Sequence, residues 1–524
     1  PDRPAIDFLG RKTSYGELGR MVDQAARGFQ QLGVRKGVKV GLCLPNTSCF
    51  VICYYAVLKA GGTVVNLNPL YVERELRQLV EDSGTTIMVT LDIKQIYPKV
   101  AALLDSSCLE RVVICRMADI LPSIQGLMFS VLKRSLVAQI PDDLHHVPFS
   151  RLLADDGRFH PVEIDPAQDI AVLQYTGGTT GLPKAAMLTH ANISGNTDQL
   201  VRLVPGIVRG QERMLLVLPL FHVFAMTVGM NLGIAFGAEL ILLPRFDLKQ
   251  VLKTIGKKRP SLFPGVPTIY TAINAAAEAG DWDLSSIRHC ISGGAPLPGE
   301  VRHRFEALTG CHLVEGYGLS EASPVVTCNP FGQTKEGSVG LPLSGTSVEI
   351  RSSLDPSQLM PAGEKGEICI RGPQVMAGYW RRPEETSQTF IDGALRTGDI
   401  GYLDEDGFLF LVDRIKDVII CGGFNVYPRV IEEALYRHPA VAEAVVIGVP
   451  DDYRGEAPKA FVRLRDGFAT DADALKQFLT EQISRIEMPK EIVFRAELPK
   501  TMVGKLSKKE LVAEEQAHQL DKAS

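Results

Sequence analysis

Between Tyr175 and His190 the chain reads YTGGTTGLPKAAMLTH, three glycines and three threonines set ahead of a lysine and directly after the strand-like IAVLQ. Gly177, Gly178 and Gly181 allow positive φ and close backbone approach. Thr176, Thr179 and Thr180 add hydroxyls and Lys184 a fixed positive charge, so consecutive N–H groups can wrap a polyphosphate. The P-loop of kinases and GTPases needs Gly immediately before Lys and Ser or Thr after it. Here Leu182 and Pro183 precede Lys184 and Ala185 follows, which argues against that class.

Other residues capable of chemistry follow downstream. Glu321 in YGLSE is an acid beside a tight turn, and Asp399 in TGD is an acceptor-only group after a β run. Arg414 and Lys416 share DRIK, Lys505 sits in the Pro-bounded PKTMVGK, and His222 lies in the apolar PLFHVFAM. Tyr317 offers a flat apolar face, and Gly293, Gly294 and Ala295 a side-chain-free wall; together they could sandwich an adenine. Singly, each has a plain alternative. Glu321 reads as a solvated loop acid, Tyr317 and His222 as core, Asp399 and Arg414 as surface ion pairs, Lys505 as a solvated cation.

The elements that must position these groups are legible from hydrophobic period. From Val40 to Thr90 strand VGLCLP, helix TSCFVICYYAVLKAGG, strand TVVNLNP, helix ERELRQLVEDS and strand TTIMVT alternate, which predicts doubly wound α/β layers. MLLVL, AELILL, SLFPGV, HCISGG and CHLVEGYG read as further strands, with helices such as DLKQVLKTIGKK and PGEVRHRFEALTG between them. Between Ser338 and Val412 helix period disappears and short β pieces predict a small β subdomain. After Asp413 a compact α+β unit begins. The predicted division is a large domain over 1–413 and a smaller, mobile one over 414–524, and AEEQAHQLDKAS reads as a frayed tail.

Composition sets limits. Lys plus Arg number 56 against 61 Asp plus Glu, a net charge of −5, so no global basic field points to nucleic acid. The ten cysteines form no C-x-x-C pair and sit in apolar runs, as expected of buried reduced thiols in a cytoplasmic protein. The first residues show neither the basic start nor the apolar core of a secretory leader, and Pro1 fits a truncated start. Met214 to Ala238 lacks Asp, Glu, Lys and Arg and imitates a membrane span, but Pro219, His222, Asn231 and three glycines interrupt it. A buried strand followed by a helix is expected there.

YTGGTTGLPK resembles the phosphate loop of the adenylate-forming superfamily of acyl-CoA synthetases, luciferases and peptide-synthetase adenylation domains. The resemblance continues in order through HCISGGAPL (His289 to Leu297), EGYGLSEASP (Glu315 to Pro324), RTGDIGYLDEDG (Arg396 to Gly407), DRIKDVIICGGFNVYP (Asp413 to Pro428) and PKTMVGKL (Pro499 to Leu506). It covers essentially the whole chain. It implies ATP, Mg²⁺ and coenzyme A as ligands, with Glu321 and the Thr176 hydroxyl on the metal. It sets Gly293, Gly294, Ala295, Glu315, Gly316, Tyr317, Gly318 and Ser320 around the nucleotide, and Asp399 and Arg414 at the ribose and α-phosphate. Ser320 departs from the Thr more often found before the motif glutamate but keeps a hydroxyl. Lys505 is implied to bridge the acyl carboxylate and α-phosphate, and Lys416 to be a hinge about which the small domain rotates. Gly422, Gly423 and Phe424 are implied to line the pantetheine tunnel, and His222 to orient the acid.

The lining expected from FHVFAM, SGGAPL and ASPVVT contains no Asp or Lys to pair a second charge, so an apolar acyl chain is favoured over an amino acid. The blocks most resemble bacterial long-chain fatty-acid CoA ligases, and a medium- or long-chain fatty acid is expected. An aryl-acid CoA ligase and a fatty-acyl-AMP ligase that loads a carrier protein are the alternatives. A homodimer and a peripheral contact with the inner face of a membrane stay open.

Overall fold

The computed structural model of the protein describes residues 1–154, 156–176, 183–278, 280–353, 355–451, 453–501 and 504–523. The apolar strands read from Val40 onward assemble a seven-stranded sheet. Lys39–Cys43, Thr63–Asn66, Thr85–Leu91, Arg111–Cys115, His146–Pro148 and Ile170–Thr176 run parallel, and Lys184–Thr189 returns antiparallel to the last. Strands buried on both faces need helices on both faces. The helix Glu73–Ser83 shows how the sequence supplies them: Leu76, Leu79 and Val80 are buried, and the chain leaves at Gly84 with φ 71°. Its start is held by the Glu75 carboxylate, which accepts from the Val72 N–H at 3.0 Å.

A second sheet orders Arg213–Leu216, Glu239–Leu242, Pro4–Phe8 and Arg11–Ser14. SLFPGV, expected as a strand, forms none. Pro264 has no N–H to give a ladder, and only single bridges from Leu262 to Met214 and His289 and from Gly265 to Ser292 remain. They lead to the parallel pair His289–Ser292 and His312–Gly318. The charge-free stretch is, as expected, a buried strand and a helix. That helix is π-type over Ala225–Asn231 before turning α over Leu232–Phe236, a widening that period alone does not reveal. No helix among the described residues is long and apolar enough to cross a membrane.

The β-rich region forms an antiparallel sheet of Ser347–Arg351, Gly366–Arg371, Ala394–Leu403, Phe390–Ile391 and Leu409–Arg414. Beyond it lies a separate five-stranded sheet with helices Pro428–Tyr436, Ala472–Leu479 and Lys508–Ala523, whose apolar cores contain only residues from Ile419 onward. The segment expected to fray is helical to Ala523: Leu511 is buried beside Phe461 and Leu498, and the Ala, Glu and Gln that follow favour helix. Nine cysteines are buried and free as expected; Cys108 is exposed.

Candidate active site

Thr176 closes its strand and Lys184 opens the next, directly opposite in register, with the Thr176 hydroxyl donating to the Lys184 carbonyl at 3.3 Å. Between them come Gly177, Gly178, Thr179, Thr180 and Gly181, which lie outside the described residues. Lys184 Nζ stands 5.2 Å over the Tyr379 ring, and the Tyr379 hydroxyl donates to Glu321 Oε1 at 2.8 Å. The backbone sets this up. Met376 N–H donates to the Glu321 carbonyl at 2.8 Å and Trp380 N–H to the Ala185 carbonyl at 2.9 Å, so the 376–380 segment ties the glutamate to the strand that Lys184 opens. Sequence reasoning passed over Tyr379; its signal was an aromatic pair after a glycine in MAGYW.

Burial pushes the Glu321 carboxyl up from the usual carboxylate range. A cation beside it would offset that penalty, and a carboxylate with a neighbouring hydroxyl is the hard-oxygen set that suits magnesium. Among the described residues no group of three or more His, Cys, Asp and Glu could hold a metal ion. Ser320 shares the single helical turn that carries Glu321. Gly318 admits no side chain, since a Cβ there would stand 1.8 Å from the Pro324 carbonyl oxygen.

Tyr317 is buried and its hydroxyl donates to Asp399 Oδ2 at 2.6 Å. Asp399 Oδ1 meets Arg414 Nε at 3.3 Å, because the two residues are cross-strand partners in the β hairpin. Burial raises the Asp399 carboxyl, with Arg414 and the Tyr317 hydroxyl opposing. Gly316 continues the same strand opposite Cys328. Glu315, whose Oε1 accepts from Leu297 N–H at 3.2 Å, is pushed by burial up to about 7, against the pull of Arg429 on the C-terminal lobe.

Lys505 and His222 meet at the glycine wall. Gly504 and Lys505 reach it from the C-terminal lobe, where the Thr268 hydroxyl donates to the Gly504 carbonyl at 2.9 Å. A Cβ on Gly294 would lie 2.5 Å from Lys505 Cε, and one on Gly293 would lie 3.1 Å from the Phe224 ring; Ala295 follows on the same wall. Burial lowers Lys505 to about 8, with Arg414 adding repulsion. Burial and the Lys505 charge lower His222 to about 3, so it is neutral, and its Nδ1 accepts from Phe224 N–H at 3.3 Å. A dehydrated cation beside a neutral imidazole is arranged to receive an anion.

The remaining residues are exposed. Lys416 is exposed in the single turn Ile415–Asp417 that joins the lobes. Gly422 and Gly423, with φ 58° and 82°, tip an exposed hairpin with Phe424; a Cβ on Gly422 would meet only Ile486 and one on Gly423 nothing within 4 Å. A small cavity of about 20 Å³, lined by Val228, Leu232, Phe236, Leu262, Ile291 and Phe331 among others, flanks the helix that follows His222. His289 is the one titratable side chain in its lining.

Comparison with known proteins matches residues 1–380 to the AMP-binding enzyme family and 430–505 to the AMP-binding enzyme C-terminal domain. The chain is 44% identical to a long-chain-fatty-acid–CoA ligase of Bacillus subtilis (strain 168), over 98% of this chain and 92% of that one. It is 35% identical to a feruloyl-CoA synthase of an Amycolatopsis species, over 98% and 96%. The solved structure of ATP-bound MatB from Rhodopseudomonas palustris is 30% identical with TM-score 0.85, covering 99% of this chain and 97% of that one. For apo MatB, also 30% identical and covering 98% and 96%, the TM-score is 0.77.

Proposed function

The chain belongs to the AMP-binding enzyme family, and from that premise we propose that it converts a medium- or long-chain fatty acid through an acyl-adenylate into acyl-coenzyme A, releasing pyrophosphate and then AMP. It is an ATP-dependent acid–thiol ligase. What carries the choice of acid is the 44% identity, across nearly the whole chain, to a long-chain-fatty-acid–CoA ligase. The cavity that flanks the helix after His222, lined by apolar side chains with His289 as its one titratable residue, supports it. The 35% likeness to a feruloyl-CoA synthase keeps an aryl acid as the second reading.

In the first step a carboxylate oxygen attacks the α-phosphorus and the bond to pyrophosphate breaks. Two anions must meet, so charge must be neutralised. Lys505, preorganised against Gly294, serves the developing charge; removing one such group typically costs roughly 3 kcal/mol. The 177–181 loop and Lys184 hold the phosphates, Tyr317 and the 293–295 wall the adenine, and Asp399 with Arg414 the ribose and α-phosphate. Glu321 and Thr176 would hold magnesium, which neutralises the phosphates when bound.

In the second step the thiol sulfur of coenzyme A attacks the acyl carbon and the bond to AMP breaks. Residues 414–524 rotate about Lys416 relative to 1–413, withdrawing Lys505 and bringing Gly422, Gly423 and Phe424 to the pantetheine path. The higher TM-score to ATP-bound than to apo MatB supports the present lobe arrangement as the adenylating one. The test is ATP–pyrophosphate exchange across a panel of acids, followed by CoA addition. Octanoate to palmitate should outcompete coumarate, benzoate and amino acids. Release of ADP would overturn adenylation, and a preference for coumarate would overturn the fatty acid.

A further inference from the structure

The helix Ser123–Leu132 carries an apolar stripe that turns away from the protein. Ile124, Leu127, Met128, Val131 and Leu132 follow the i, i+3, i+4, i+7, i+8 spacing that places side chains on one face of a helix. At 100° per residue they span an arc of roughly 140°. Such a stripe normally faces the core, yet these five are between 52% and 77% exposed. The rotation of the helix is fixed from the opposite side. Gly126 is pressed so closely on the preceding helix, Met117–Ile120, that a Cβ there would lie 2.4 Å from the Ala118 carbonyl oxygen. Phe129 packs inward against the main core. The segment after the helix is pinned as well: Lys94 N–H donates to the Leu136 carbonyl at 2.9 Å and Ala138 N–H to the Asp92 carbonyl at 2.8 Å. The stripe is therefore presented outward by rigid packing.

Charge identifies the occupant. From Ser123 to Ile140 the chain has no acid, and the stripe is followed at once by exposed Lys133 and Arg134, with exposed Lys94 beside Leu136. At the other end exposed Arg11 donates to the carbonyls of Asp119 and Leu121, and exposed Arg116 lies on the turn before; Asp119 is the one exposed acid there. Cations thus bracket the apolar stripe. A second copy meeting this face about a two-fold axis would set cation against cation at both ends. An anionic lipid surface would meet apolar side chains with acyl chains and both cationic ends with headgroups. The stripe itself holds only aliphatic and thioether side chains, without the Tyr, Trp or Arg anchors usual in a protein interface.

We propose that the Ser123–Leu132 helix is a docking element that lays this enzyme on an anionic lipid bilayer. Binding of the full chain to vesicles of phosphatidylcholine alone, and of phosphatidylcholine with phosphatidylglycerol, tests it, and no substrate is added, so failure leaves the proposed chemistry untouched. Wild type should bind the anionic vesicles preferentially. Leu127→Glu with Val131→Glu should lower the bound fraction about tenfold or more, and Lys133→Glu with Arg134→Glu should abolish the preference for anionic vesicles. Both double variants should keep wild-type octanoate activity and melting temperature, which separates loss of docking from loss of fold. Equal binding by wild type and variants, or no vesicle binding by wild type, overturns the proposal. So does a dimer in solution that Leu127→Glu with Val131→Glu converts to a monomer while vesicle binding persists, since the face would then belong to a second copy.

Discussion

Lys505 lies across Gly294 so closely that the glycine's missing Cβ would stand 2.5 Å from Cε and 3.0 Å from Nζ. Gly294 also holds φ 83°, a conformation that costs an L-residue roughly 1–2 kcal/mol. Gly294→Ala should therefore displace Lys505 and lower ATP–pyrophosphate exchange on the order of a hundredfold, the cost of losing one preorganised charge. Conversion of a supplied acyl-adenylate to thioester should fall far less. Equal loss in both half-reactions would show that the glycine serves nucleotide binding and not the lysine's approach.

The two lysines of the C-terminal lobe should separate the half-reactions. Lys505→Ala should suppress adenylate formation by a hundredfold to a thousandfold, on the order of 3 to 4 kcal/mol, while a supplied adenylate still reacts with coenzyme A. Lys416→Pro fixes φ near −65° in the joining turn and should do the reverse, letting adenylate form and accumulate. Single-turnover measurement of each step in each variant decides it.

Lys505 at about 8 gives adenylation a pH limit. Its folded value is lowered below that of a solvated lysine, so between about 8 and 10.5 the undocked lobe binds more protons and docking strengthens as pH rises. The docked lysine has by then lost the charge that its proposed role in adenylation needs. Exchange activity should accordingly fall as pH rises through about 8, and bound ATP should shift the inflection upward. Lys505→Arg, charged throughout, should lose that inflection whatever its absolute rate. A wild-type profile flat to pH 10 would contradict the assignment.

Tyr317 and Asp399 supply the next test. The 2.6 Å hydrogen bond to a buried carboxylate is of the charge-assisted kind, worth roughly 1.5–3 kcal/mol. Tyr317→Phe keeps the flat ring but leaves Asp399 with Arg414 alone, so KM for ATP should rise about tenfold or more, with a smaller change in kcat. An unchanged KM would show that Asp399 is held adequately without Tyr317.

What the sequence made legible, and what it did not, divides along physical lines. Strands such as Thr85–Leu91 and helices such as Glu73–Ser83 follow from apolar period and local caps, and both stand where the pattern put them. Glycines and charges that have no place in a core marked the candidate site. The Tyr379 link to Glu321 was invisible because it depends on two backbone bonds between segments far apart in sequence. The segment Ser261–Val266 kept its strand-like composition yet formed only bridges, because composition carries no account of one missing proline N–H. The π-type turns of Ala225–Asn231 needed tertiary packing to appear at all.

The cavity beside those turns gives the chain-length test. Val228 lies six residues beyond His222, roughly one and a half helical turns, and is 1% exposed, with Leu232 and Phe236 continuing along the same wall. A cavity of about 20 Å³ holds no acyl chain as it stands, so a long chain must push these side chains apart. Val228→Phe adds bulk at the near end of that path. Each methylene excluded from an apolar site forfeits about 0.8 kcal/mol, so blocking roughly four of them costs about 3 kcal/mol, on the order of a hundredfold. Val228→Phe should therefore cut kcat/KM for palmitate by about that factor while octanoate, which ends short of the block, changes by roughly threefold or less. Steady-state kinetics over a series of even-numbered acids reads the step directly, and the length at which it occurs measures the distance from the carboxylate to Val228. A uniform loss across all lengths would mean that Val228 supports the fold around His222 and that the acyl chain takes another route.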